Sequence, residues 1–86
     1  MPTKYYGTPL CPDCLAADEA LRGADVLPEF INITASTANL KAFLALRDSR
    51  KEFAPIKAAG SIGIPCFLRE DGSLTFDVAE VVRSGR

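Results

Sequence analysis

Two cysteines stand three residues apart at Cys11-Pro12-Asp13-Cys14, just after an apolar run and just before a helical pattern. Thiols at that spacing can open and close a disulfide. On the first turn of a helix, side chains three apart share a face with Cβ atoms about 5–6 Å apart. A disulfide requires Cα atoms roughly 4.4–6.8 Å apart, so the pair closes with little rearrangement. The first sulfur would stand where unpaired backbone N–H groups and the positive end of the helix dipole favour an anion. Placement of that kind lowers a thiol pKa from about 8.5 to roughly 3.5–7.5. Because the thiolate is the nucleophile, Cys11 is the candidate attacker, with Cys14 as its partner in a redox couple.

Composition narrows the alternatives. At 86 residues the chain is one domain, above the size of about 40 residues below which metals or disulfides are usually needed for folding. The 10 basic and 11 acidic residues give a net charge of -1 with no basic block or acidic tail. Neither nucleic acid nor a membrane surface is an expected partner. Lys4, Pro9 and Pro12 interrupt the N-terminal segment, so no secretory signal is expected in the chain as given, and no stretch approaches the ~20 apolar residues of a membrane span. Three cysteines, two of them close together, fit a reducing compartment better than an extracellular disulfide framework. The expected location is the cytoplasm, and the expected state a monomer. Histidine is absent, which removes every mechanism using imidazole as base, shuttle or metal ligand.

The elements that must position the pair follow from local pattern. Thr3 to Gly7 reads as a strand, and Gly7, Thr8 and Pro9 mark the loop leading to Cys11. Pro12 suits the first position of a helix over about 12–22, with Cys14, Ala17 and Leu21 on one face and Gly23 as its stop. Glu29 to Ile33 is a second strand. Ser36 or Thr37 caps a second helix running to about residue 53, where Pro55 ends it, and its stripe of Leu40, Phe43 and Leu44 is assigned to the core. A glycine-punctuated connection from Lys57 to Gly63 leads to a strand at Ile64-Pro65-Cys66-Phe67-Leu68. Asp71-Gly72 turns into a strand over Ser73 to Phe76, and Asp77 caps a last helix bearing Val78, Val81 and Val82, with fraying expected from Ser84. The order β-α-β-α-β-β-α with C-x-x-C beside the βαβ unit is the thioredoxin-type redox signature. It predicts a three-layer α/β/α domain with a mixed sheet of order 2-1-3-4, helix two on one face and helices one and three on the other.

Over most of its length the chain resembles glutaredoxins. The residues that carry the resemblance are the strand before Cys11-Pro12-Asp13-Cys14, the stretch from Ile56 to Pro65, and Asp71-Gly72 followed by Asp77 at a helix start. The resemblance implies a thioredoxin-like fold in which Cys11 attacks, Cys14 resolves, and Pro65 is cis and faces the pair. It also implies reduction of protein disulfides or glutathione mixed disulfides, with glutathione as a possible co-substrate and no bound cofactor. The Ile64 backbone would pair with an extended substrate, Asp77 would meet the γ-glutamyl end of glutathione, and Lys57 would receive a carboxylate. The chain departs from the family at Asp13, where many members have tyrosine, and at Thr8, where many have a basic residue. It also has Leu74-Thr75-Phe76 where a glycine pair normally precedes the acid. Each change removes a feature that favours an anion or close backbone approach.

Each signal has a plainer reading. Free cysteines can be small buried hydrophobes; an exposed turn and Pro12 speak against that for Cys11 and Cys14, whereas Cys66 fits core packing, a third redox thiol or a metal ligand. Asp13 is either a helix-start acid or, with Pro12, a tuner of the sulfur's ionisation, since a nearby negative charge opposes a thiolate. Lys57 is a solvated charge or a substrate contact, and Phe76 is core or substrate wall. The expected activity is thiol-disulfide exchange with a disulfide-containing protein or small thiol, recycled by glutathione or a reductase. Two rivals remain: an iron-sulfur or zinc thiolate module, and a non-catalytic peptide-binding adaptor of the same fold.

Overall fold

Alternating side chains on β1 (Lys4–Gly7) divide the molecule into two layers of core. The computed structural model describes residues 3–84. Tyr5 and Tyr6 point to opposite faces of the sheet, as successive strand residues must, and each seeds a separate cluster. Tyr5 packs with Ala17, Leu21, Phe67 and Val81 on one face, and Tyr6 with Ile33, Phe43, Phe53 and Cys66 on the other. The sheet order is β2-β1-β3-β4, with β2 at Glu29–Asn32, β3 at Cys66–Leu68 and β4 at Leu74–Thr75. β2 runs parallel to β1, while β3 is antiparallel to both β1 and β4. Tyr5 stands opposite Phe67 and Tyr6 opposite Cys66, so each register pair supplies one cluster.

Helices α1 (Pro12–Gly23) and α4 (Val78–Ser84) cover the Tyr5 face, and α2 (Thr37–Ser49) covers the Tyr6 face. α1 begins with Pro12 at its first position and buries Cys14, Ala17 and Leu21, a spacing that keeps three residues on one side. It stops differently from expectation. Gly23 is its last residue, and the left-handed conformation falls on Asp25 (φ 57), a residue type that tolerates it. Val26 then donates to the Leu21 carbonyl at 3.0 Å. α2 is capped by Ser36, whose hydroxyl accepts from the Asn39 N–H at 3.1 Å.

Three further expectations are corrected. Helix two ends at Ser49, and Pro55 does not terminate it. A 3-10 turn over Lys51–Phe53 follows, then α3 (Ala54–Ala58) with Pro55 in its first turn, where the missing N–H has no helical partner to lose. β3 starts at Cys66 rather than Ile64, because Pro65 has no N–H to offer the ladder. The Leu40–Phe43–Leu44 stripe is not all core: Phe43 is 1% exposed, but Leu40 and Leu44 are each 38% exposed. At about 100° per residue, Leu40 and Leu44 lie to one side of Phe43 and Leu46 to the other. The helix turns its Phe43–Leu46 side to the sheet.

The hairpin between β3 and β4 forms as its residues suggest. Gly72 has φ 87, Arg69 N–H donates to the Ser73 carbonyl at 2.9 Å, and the Asp71 carboxylate accepts from the Ser73 N–H at 2.9 Å. Asp77 accepts from the Ala79 N–H at 2.9 Å at the start of α4. The rest of the tail expected to fray lies outside the described residues. Among the described residues no helix is long and apolar enough to cross a membrane.

Edge contacts of Phe43 with Phe53 (5.8 Å, 78°) and Phe53 with Phe76 (5.1 Å, 82°) knit the second core layer. Phe43→Ala should therefore cost about 3–5 kcal/mol, and Leu44→Ala less than about 1 kcal/mol. Urea unfolding with an unchanged m-value is the check, and comparable losses would contradict the orientation of α2.

Candidate functional site

The turn from β1 into α1 is built around Thr8, which is 5% exposed. Its carbonyl accepts from the Cys11 N–H and its hydroxyl from the Leu10 N–H, both at 3.2 Å. The Thr8 and Thr34 hydroxyls meet at 2.8 Å. Since Thr34 gives its proton to the Asn32 side-chain oxygen at 2.7 Å, Thr8 is the donor in that pair. This lock ties the cysteine loop to the end of β2.

Cys11 occupies the N-cap of α1 with extended backbone (φ -102, ψ 123), makes no side-chain cap, and is half-buried. The residue is thus partly exposed, and its side chain meets the Cys14 thiol rather than capping the helix. Cys14, one turn on, is fully buried. Its sulfur lies 3.0 Å from where a Cβ on Gly7 would stand, and Tyr5 Cε1 is 2.8 Å from that point, so only glycine leaves room there. The Tyr5 hydroxyl donates to the Cys14 carbonyl at 3.0 Å. Burial pushes the Cys14 thiol up to about 11; a backbone hydrogen bond at Thr8 pulls against that, while hydrogen bonding and charge from Cys11 add to it. All three cysteines are free thiols.

Beside the start of α1 lies a cleft of about 450 Å³. Asp13, Ile64, Pro65 and Asp77, all singled out in the sequence, line it, and the Ile64–Pro65 bond is cis. Phe76 belongs to its wall and also packs on Phe53, so it serves core and cleft together. Pro12 is exposed at the helix start. Lys57 sits exposed on α3 and is not among the lining residues. Sequence reasoning missed Ile56, Gly63 and Val78 as lining residues, and Thr8 as the organiser of the loop. Gly63 carried a readable signal, because φ 99 and a Phe53 ring 2.7 Å from its would-be Cβ demand glycine. A threonine in a Gly-Thr-Pro turn is likewise a recognisable local hydrogen-bonding motif.

Cys66 belongs elsewhere. It is fully buried in the Tyr6 cluster, across the sheet from α1, and burial pushes its thiol up to about 12. Its placement removes it as a third redox thiol or ligand beside Cys11 and Cys14. Among the described residues no three histidine, cysteine, aspartate or glutamate side chains converge as metal ligands.

These burials separate the three thiols experimentally. Iodoacetamide should modify the native reduced chain at Cys11 alone, with Cys14 and Cys66 reacting only after unfolding, as read by peptide mass spectrometry. The raised values also link to stability. Above the ordinary thiol value of 9.0, the unfolded chain releases these protons while the folded chain keeps them to about 11 at Cys14 and about 12 at Cys66. Stability should therefore fall as pH rises through that window, and denaturation of Cys66→Ala should show a shallower fall.

Comparison with known proteins adds one relative. No family model and no solved structure matches the chain. An uncharacterized protein of Haemophilus influenzae is 37% identical over 80 residues, covering 93% of this chain and 92% of that protein. The chain belongs to one family with that Haemophilus influenzae protein.

Proposed function

We propose that the protein is a glutaredoxin-like thiol-disulfide oxidoreductase of thioredoxin-like fold, acting in a reducing compartment such as the cytoplasm. One observation carries the reading: a half-buried cysteine at the N-cap of α1 stands directly before a fully buried one a turn further along. That asymmetry supports Cys11 as the attacker and Cys14 as the resolving thiol. The Cys11 thiolate attacks one sulfur of a substrate disulfide, the substrate S–S bond breaks, and the departing sulfur takes a proton from water. Cys11 is left in a mixed disulfide with the substrate.

The second step follows from what the first removes. A charged Cys11 keeps the Cys14 proton in place, together with burial. Once Cys11 is bonded to sulfur, that charge is gone, and the backbone hydrogen bond at Thr8 that favours the Cys14 thiolate is opposed chiefly by burial. Cys14 loses its proton and attacks Cys11, releasing the second substrate thiol. The substrate has gained two electrons and two protons, and the protein holds a Cys11–Cys14 disulfide. An external thiol reductant, glutathione or a reductase, restores the dithiol. The cleft beside Pro65 supports the same reading, since an extended substrate laid along Ile64 would bring its disulfide towards the start of α1.

Cys11→Ser should abolish turnover in a disulfide-reduction assay. Cys14→Ser should instead accumulate a covalent complex, seen as a mass increase that dithiothreitol reverses. Full activity in Cys11→Ser would overturn the assignment.

A further inference from the structure

Building on that reading, we infer that the site selects disulfides in polypeptide segments that carry positive charge beside the half-cystine, and that it disfavours anionic partners such as glutathione. The charged groups that line the cleft are two carboxylates, Asp13 and Asp77, and no lysine or arginine lines it. Both acids sit at helix starts, Asp13 in the first turn of α1 and Asp77 accepting from the Ala79 N–H of α4. A helix start contributes roughly half a positive charge, so each carboxylate outweighs its own helix and the cleft stays negative. Arg47 donates to the carbonyls of Ile62 (3.0 Å) and Ser61 (2.7 Å) from behind the same loop and does not itself line the cleft.

Between the acids the wall is apolar, with Ile56, Ile64, Phe76 and Val78. The apolar character continues outside it. Leu10 is 78% exposed, Leu15 49% and Ile62 58%; the first two bracket the cysteine pair in sequence, and the third lies in the loop that leads to Pro65. Leu10 stands exposed immediately before Cys11, while Leu15 and Ile62 line other hollows of the surface. Glutathione brings one ammonium for Asp77 but two carboxylates, which meet like charge in the cleft. A polypeptide segment with a lysine or arginine near its half-cystine would face Asp13 and Asp77 and lay its apolar side chains on the wall. Asp13 and Asp77 thus act as specificity determinants through charge, while the exchange chemistry stays with Cys11.

The test holds the leaving group constant. Pre-reduced protein is mixed with 2-pyridyl disulfides of glutathione and of two otherwise identical peptides, with lysine or glutamate beside the cysteine, and pyridine-2-thione release is followed by absorbance. In each case the Cys11 thiolate displaces pyridine-2-thione and holds the peptide as a mixed disulfide until Cys14 displaces it. Rates are divided by those with 2-mercaptoethanol to remove intrinsic reactivity. The lysine peptide should react about tenfold faster than the other two at low ionic strength, and the advantage should shrink with added salt. Asp13→Asn with Asp77→Asn should remove the difference, and asparagine preserves the α4 cap. Equal rates for the three probes, or a preference that survives in the double variant, would overturn the inference while leaving the exchange reading intact. Release that persists in Cys11→Ser would instead overturn the exchange reading itself.

Discussion

A sulfur seated against a bare glycine is the contact on which the site depends. Cys14 can bury itself completely only because Gly7 has no Cβ, and the Tyr5 hydroxyl secures the same turn through the Cys14 carbonyl. Close packing tolerates no substitute of larger volume at such a point. With Cys14 pinned inward, Cys11 is left on the same face at the N-cap, half-buried and in contact with the Cys14 thiol. The difference between the two thiols is therefore a packing result first and an electrostatic one second.

The sheet sorts the remaining chemistry by face. Tyr5 and Phe67 look towards α1 and α4, whereas Tyr6 and Cys66 look towards α2 and α3. A cysteine one position away in the strand would stand on the other side, because strand period is two. Cys66 is thus insulated from the pair by the thickness of the sheet. The cleft is assembled from the opposite kind of element: the loop through Gly63 to Pro65, the start of α4 and the first turn of α1 meet where no regular ladder runs. Loops carried on a rigid scaffold are where recognition chemistry usually resides.

Much of this was legible in the residues. C-x-x-C after a strand, with proline at the first helical position, located the pair, the start of α1 and the sheet order. Ser36, Asp71-Gly72 and Asp77 marked their cap, turn and cap through short-range hydrogen bonding. The failures share a cause. Pro55 was read as a terminator because proline breaks helix interiors, yet it opens a short helix whose Ile56 packs with the Tyr6 cluster. Helical spacing puts Leu40 and Leu44 in one stripe with Phe43, but the rotation of α2 is decided by which side chains meet the sheet.

Interactions that span a few residues, such as caps, turns, proline positions and the spacing of two thiols, are written into the chain because both partners lie within one reading window. The membership of the cleft, the separation of Lys57 from it, the role of Thr8 and the isolation of Cys66 arise from segments tens of positions apart. Their distances follow from how the two core layers close on the sheet. No local pattern encodes that closure, since it balances the packing of every buried side chain at once.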